Sequence, residues 1–150
     1  MHQTLYWEDI IVGTEIPPLV KTPSNRQLVR YAGVSRDFYE IHYDKDFAIS
    51  TGLKGVIIHG ALKQAFLGQL ITDWIGPTGI LKKLSAQYRG MDEPGSPLIC
   101  KGKVIKKYVK NHLHLVDCEI WIENSKGEQF TPGSATVLLP IKSMNRTKRS

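Results

Sequence analysis

Residues 60–75 read GALKQAFLGQLITDWI, and this stretch decides the fold. Leu62, Ala65, Phe66, Leu70, Ile71 and Trp74 recur at helical spacing. The apolar positions spread around most of the circumference, so the helix they form must be covered on nearly all sides. It starts at Gly60, would run about 24 Å at 1.5 Å per residue, and is stopped by Gly76-Pro77.

Downstream of this segment the period changes to two. Leu84, Ala86 and Tyr88 alternate with Ser85, Gln87 and Arg89; Cys100, Gly102 and Val104 alternate with Lys101 and Lys103. Val116, Cys118, Ile120 and Ile122 then alternate with Asp117, Glu119, Trp121 and Glu123. Asn124-Ser125-Lys126-Gly127 supplies a turn before a last strand ending near Leu139. The alternation breaks at Leu115-Val116, where a bulge is expected. His112 and His114 stand two apart on one strand and would face the same side; with no third ligand in sight, they read as exposed strand residues.

Upstream, a short strand is expected near Ile16–Lys21. Ser24-Asn25-Arg26-Gln27 has the form of a capping box, and a short helix at 25–33 follows. Residues 34–46, VSRDFYEIHYDKD, lack a period and read as a loop. Asp44–Ser50 has room for one or two helical turns before Gly52. Strands that arrive in sequence with short turns favour an antiparallel sheet. One apolar helix is buried by such a sheet only if the sheet curls around it. The expected fold is therefore α+β: a single hotdog domain over 1–140, a long central helix wrapped by a curved antiparallel sheet, with a basic C-terminal tail at 141–150.

Composition narrows the function. The chain has 150 residues, of which 41% are hydrophobic, enough for one core. It has no apolar run of the length a spanning helix needs and no visible signal peptide, so no membrane association is expected and the cytoplasm is the default compartment. Cys100 and Cys118 lack His or Cys neighbours at metal-ligand spacing and read as buried thiols, so neither a metal nor a cofactor is expected. The net charge of +6 gathers in the tail and at Lys82, Lys83, Lys101, Lys103, Lys106, Lys107 and Lys110, without any nucleic-acid motif.

Asp37 and His42 are the ionisable pair in the loop before the long helix. Dehydrating a 3-hydroxyacyl thioester requires a base at C2, an acid for the departing hydroxyl, and a donor for the thioester oxygen as negative charge develops on it. A carboxylate beside an imidazole meets the first two needs. Gly60 is a candidate for the third, because the first amides of a helix have no intrahelical acceptor and glycine admits a ligand close to the backbone. On spacing alone, an Asp and a His five apart read more readily as a surface ion pair or a hydrogen bond that braces a loop.

Specificity comes from resemblance. Tyr31-Ala32-Gly33-Val34-Ser35-Arg36-Asp37-Phe38-Tyr39-Glu40-Ile41-His42 resembles the hydratase-2 signature of MaoC-like enzymes: small residue, Ser/Thr, Gly, Asp, any residue, Asn, Pro, aliphatic, His. Seventeen residues past His42 stands His59-Gly60, like the family's His-Gly pair at the start of the central helix. Pro94-Gly95-Ser96-Pro97 stands near the family's Pro-Gly-Asp turn. The resemblance implies that Asp37 and His42 share a catalytic water as acid and base. It implies that Gly60 donates its N–H to the thioester carbonyl, with Ser35 and His59 beside it in the oxyanion and substrate-binding set. The implied substrates are acyl groups on coenzyme A or acyl-carrier protein, the implied product is (R), and the implied assembly is a homodimer or a heterodimer with another hotdog subunit.

The sequence departs from the signature where Arg36 replaces its Gly and Tyr39-Glu40 its Asn-Pro; Gly68 stands where a small polar residue is common. Ser35-Arg36-Asp37, His42-Tyr43-Asp44 and Thr72–Pro77 look closer to MaoC-like subunits associated with bulky, sterol-type acyl-CoA side chains. A non-catalytic or partner-dependent subunit is the second reading. A thioesterase is the third, ranked lower because Ala61–Gly68 holds no carboxylate.

Overall fold

The computed structural model describes residues 4–142; of the basic tail, 143–150 lie outside the described residues. Among the described residues no helix is long and apolar enough to cross a membrane.

The first strand, β1, is Glu15–Lys21. Helix α1 (Asn25–Ser35) runs two residues beyond the expected end, and its N-cap Ser24 accepts from the amide of Gln27 at 3.2 Å. A 3₁₀ turn at Glu40–His42 lies within the region read as loop, and helix α2 (Lys45–Ser50), capped by Asp44, supplies the turns expected over Asp44–Ser50. Helix α3, Gly60–Ile75, has the expected bounds, and Gly76 at φ 66° ends it. Strands β2 (Ile80–Ala86), β3 (Leu98–Lys110), β4 (Leu113–Glu123) and β5 (Thr131–Leu138) follow among the described residues.

The five strands form one antiparallel sheet in the order β1-β3-β4-β5-β2. It curves around α3, which packs against every strand. Leu62, Phe66, Leu67, Leu70, Ile71 and Ile75 on the helix are buried against Ile16, Cys100, Val104, Cys118, Ile120 and Val137 of the sheet. The architecture is the hotdog fold. Gly133 lets β5 lie close to β2: a Cβ there would lie 2.3 Å from the Ser85 carbonyl oxygen.

Two expectations about the strands need correction. The bulge is in β3, between Val104 and Lys106, where the ladder passes from Cys118 to Asp117; Leu115 and Val116 pair without interruption. The sequence shows the broken alternation on β4, but the extra residue is in its partner. His112 is not a strand residue: Asn111 and His112 form the β3–β4 turn at φ 50° and 62°. Two positive φ values suit the twist of a two-residue hairpin. His114 packs edge-on against Trp7 with ring centroids 5.0 Å apart.

Candidate active site

The loop that follows α1 turns sharply at Arg36, which adopts a left-handed conformation at φ 61° and ψ 19°. The Ser35 hydroxyl donates to the Tyr31 carbonyl at 2.7 Å and accepts from the Asp37 amide at 3.3 Å. The turn delivers Asp37 to the surface, and the 3₁₀ turn carries His42 inward. His42 Nε2 lies 3.8 Å from Asp37 Oδ2, with side chains 9% and 48% exposed respectively.

His42 Nδ1 is 2.8 Å from the carbonyl oxygen of Ile57. A carbonyl can only accept, so Nδ1 carries the hydrogen, and in the neutral ring the free lone pair is on Nε2, facing Asp37. Ile57 belongs to an irregular strip leading into α3. Its amide bonds Ile41 O at 3.0 Å, and the next amide, Ile58 N, bonds Asp92 O at 2.8 Å.

His42 and Gly60 share a cleft of about 300 Å³, also lined by Ile57, Lys63, Tyr88 and Met91. Asp37 is outside that lining, its carboxylate half exposed beside the imidazole. Gly60 is the first residue of α3, and the first intrahelical bond of this turn is Lys63 N to His59 O at 3.2 Å. The amide of Gly60 therefore has no acceptor within the helix. The ring of Tyr88 lies against its α-carbon: a Cβ on residue 60 would meet Tyr88 Cδ2 at 2.9 Å. Tyr88 Oη in turn donates to Gln64 Oε1 at 2.7 Å. A larger cavity of about 440 Å³, bordered by Lys54, Ser96 and Lys126, shares Ile57 and Met91 with the cleft but contains none of Asp37, His42 or Gly60.

His59 sits differently from its grouping with substrate-binding residues. Its ring is fully buried, stacked on His42 at 3.7 Å between centroids and 20° between planes, with Tyr31 edge-on at 4.9 Å. Neither ring nitrogen makes a hydrogen bond of good geometry. Burial lowers the His59 pKa, the neighbouring His42 lowers it further, and the backbone and carboxylate of Asp37 pull the other way. Donor atoms of Asp37, His42 and His59 lie within 4.8 Å of one another. A single ion does not suit them: a metal binds imidazole in the ring plane, and two nearly parallel rings offer no common in-plane point at ordinary bond lengths.

Sequence reading missed the buried ion pair of Lys63 and Asp92, Nζ to Oδ2 2.9 Å, with Nζ also 3.2 Å from Gly90 O. The available signal was a lysine one turn into a helix that is otherwise apolar on that side.

Residues 12–118 match the family described as MaoC like domain. The chain is 28% identical over 143 residues to the (R)-specific enoyl-CoA hydratase of Rhodospirillum rubrum, covering 91% of this chain and 93% of that one. It is also 28% identical over 74 residues to the 3-oxo-4,17-pregnadiene-20-carboxyl-CoA hydratase beta subunit of Mycobacterium tuberculosis, covering 49% of this chain and 57% of that subunit. Among solved structures, the R-hydratase PhaJ1 from Pseudomonas aeruginosa superposes with a TM-score of 0.83 at 26% identity, over 93% of this chain and 88% of that one. A chain of the ChsH1-ChsH2 complex from Mycobacterium tuberculosis, at 21% identity and TM-score 0.75 over 86% of this chain and 98% of that one, shares the fold. With its central helix, its Asp/His loop and this match over most of its length, the chain belongs to the MaoC-like dehydratase family.

Proposed function

We propose that the protein interconverts 2-enoyl and (R)-3-hydroxyacyl thioesters by adding or removing water. The observation that carries this reading is the 3.8 Å gap between His42 Nε2 and Asp37 Oδ2, beside a cleft that also contains Gly60. The gap is too long for a direct hydrogen bond, and a water oxygen can bond both groups.

In the hydration direction, His42 Nε2 takes a proton from that water as its oxygen bonds to C3. The C2=C3 electron pair moves toward the thioester oxygen, where the Gly60 amide donates. Charge then returns to C2, which takes a proton from the Asp37/His42 pair. Hydrogen and hydroxyl thus add from one face and the pair ends as it began. The acyl carrier is coenzyme A or acyl-carrier protein. One oxyanion donor of this kind is typically worth about 3–4 kcal/mol in the barrier.

The likeness to a beta subunit from Mycobacterium tuberculosis favours a second version, in which the chain works with another hotdog subunit. Both are tested by following the ultraviolet absorption of crotonyl-CoA and of a longer enoyl-CoA. Loss of the conjugated thioester by the wild type, lowered about 10²–10⁴-fold by Asp37→Asn and by His42→Ala, is the expected result. Turnover only after a second subunit is added supports the partnered version. Release of free thiol, or substrate unchanged in both settings, overturns the hydratase reading.

A further inference from the structure

The pair Lys63–Asp92 is unusual for its place. Lys63 is 2% exposed and Asp92 5%, and Lys63 stands on a helix whose other buried residues are apolar, among them Leu62, Phe66, Leu67 and Leu70. A buried ion pair is often no more stabilising than apolar side chains of the same size, so its presence in a core calls for a geometric account.

The hydrogen bonds around it supply one. Lys63 Nζ holds the 90–92 segment twice, through Gly90 O at 3.2 Å and Asp92 Oδ2 at 2.9 Å. That segment is already wedged from the other side: the Arg89 amide bonds Phe130 O at 2.8 Å, and a Cβ at Gly90 would lie 2.3 Å from Phe130 Cγ. From Asp92 the chain of contacts continues inward. Asp92 O accepts from Ile58 N at 2.8 Å. The neighbouring carbonyl, Ile57 O, accepts from His42 Nδ1 at 2.8 Å. The strip 57–58 is thus hydrogen-bonded to the His42 loop on one side and to the Lys63-anchored segment on the other, without belonging to any strand.

We infer that Lys63 and Asp92 are positioning residues: their ion pair fixes the strip whose Ile57 carbonyl sets the tautomer and orientation of His42. The ammonium acts from the first turns of α3, so one helix supplies both the Gly60 amide and the anchor that aims the imidazole. The kinetic consequence rests on the hydratase reading above; the structural consequence does not.

The test uses Lys63→Met, Asp92→Asn and the double variant Lys63→Met/Asp92→Leu, with melting temperature, the side-chain ¹⁵N signals of His42 and hydration kinetics read on each. In Lys63→Met the melting temperature falls and the His42 nitrogens lose the signature of a ring protonated only at Nδ1. In the double variant stability returns, because no charge is left unpaired, but the His42 signature does not. There kcat stays about 10–100-fold low, with KM changed far less. Restoration of the His42 signals together with stability in the double variant, or unaltered His42 signals in folded single variants, overturns the inference. If Lys63→Met does not fold, Asp92→Asn and the double variant carry the same comparison. A wild type with no hydratase activity whose His42 signals still respond to these substitutions keeps the clamp and removes the proposed reaction.

Discussion

The imidazoles of His42 and His59 lie face to face, 3.7 Å between centroids and 20° from parallel, and only His59 is sealed from solvent on all sides. Two rings so placed cannot both carry a proton cheaply. Burial of the His59 ring lowers its pKa, and the neighbouring His42 lowers it further.

A pH dependence of stability follows. In the unfolded chain His59 titrates near its ordinary value of about 6.5. In the folded protein the pKa is lower, so between the two values the unfolded state binds more protons. The stability associated with neutral His59 is fully present above the unfolded value and is lost as pH falls through the folded one. His59→Phe, which keeps an aromatic ring between His42 and Tyr31, is expected to flatten the fall in urea midpoint between pH 7 and pH 5. Identical pH slopes for variant and wild type would rule out this origin.

Gly60→Ala is expected to damage turnover while leaving the amide in place. The new methyl group would meet the Tyr88 ring at 2.9–3.1 Å, and that ring is tied to Gln64 through its hydroxyl. Ring or helix start must shift, at a cost of about 10–100-fold in kcat/KM. Adding Tyr88→Ala removes the clash and is expected to recover part of the loss. A single variant as active as wild type would mean that Tyr88 moves aside freely.

Arg36→Gly is expected to stabilise the fold. Arg36 is exposed and sits in the left-handed region, where a side chain costs about 1 kcal/mol or more and glycine does not. Glycine is also freer in the unfolded chain, which leaves a net gain of about 0.5–1 kcal/mol. The measurement is a higher urea midpoint at unchanged slope; a lower midpoint would show that the arginine side chain contributes more than its backbone costs.

Cys100 and Cys118 are expected to resist alkylation in the native protein. Both are fully buried, and burial pushes each thiol up to about 12, so almost no thiolate exists at neutral pH. Iodoacetamide labelling at pH 8 should track unfolding by denaturant. Rapid labelling of the folded chain would contradict this placement.

What the sequence disclosed divides by distance along the chain. The bounds of α3, the cap at Ser24 and most of the β2–β5 alternation depend on residues a few positions apart, and periodicity reads them well. Asp37 and His42 were legible because one turn fixes their spacing, and the family resemblance gave that spacing meaning. The left-handed turn at Arg36 lies where the signature carries Gly; the departure is visible in the sequence, and the structure adds the backbone conformation. The His42–His59 stack, the Tyr88 ring on Gly60 and the Lys63–Asp92 pair join residues 17, 28 and 29 positions apart. Apart from a lysine on an otherwise apolar helix face, nothing local in the sequence marks them, since the contacts form only when the chain has folded. The bulge was misplaced for a related reason: one strand carried the signal and its partner carried the extra residue.

The hydrogen-bond partner of His42 Nδ1 is a main-chain oxygen. Every amino acid at position 57 presents that same oxygen, so ordinary divergence at this site leaves the imidazole's hydrogen where it is. The constraint therefore falls on the path of the backbone through the strip, and the side chain at 57 can be exchanged for other purposes while the ring keeps its aim.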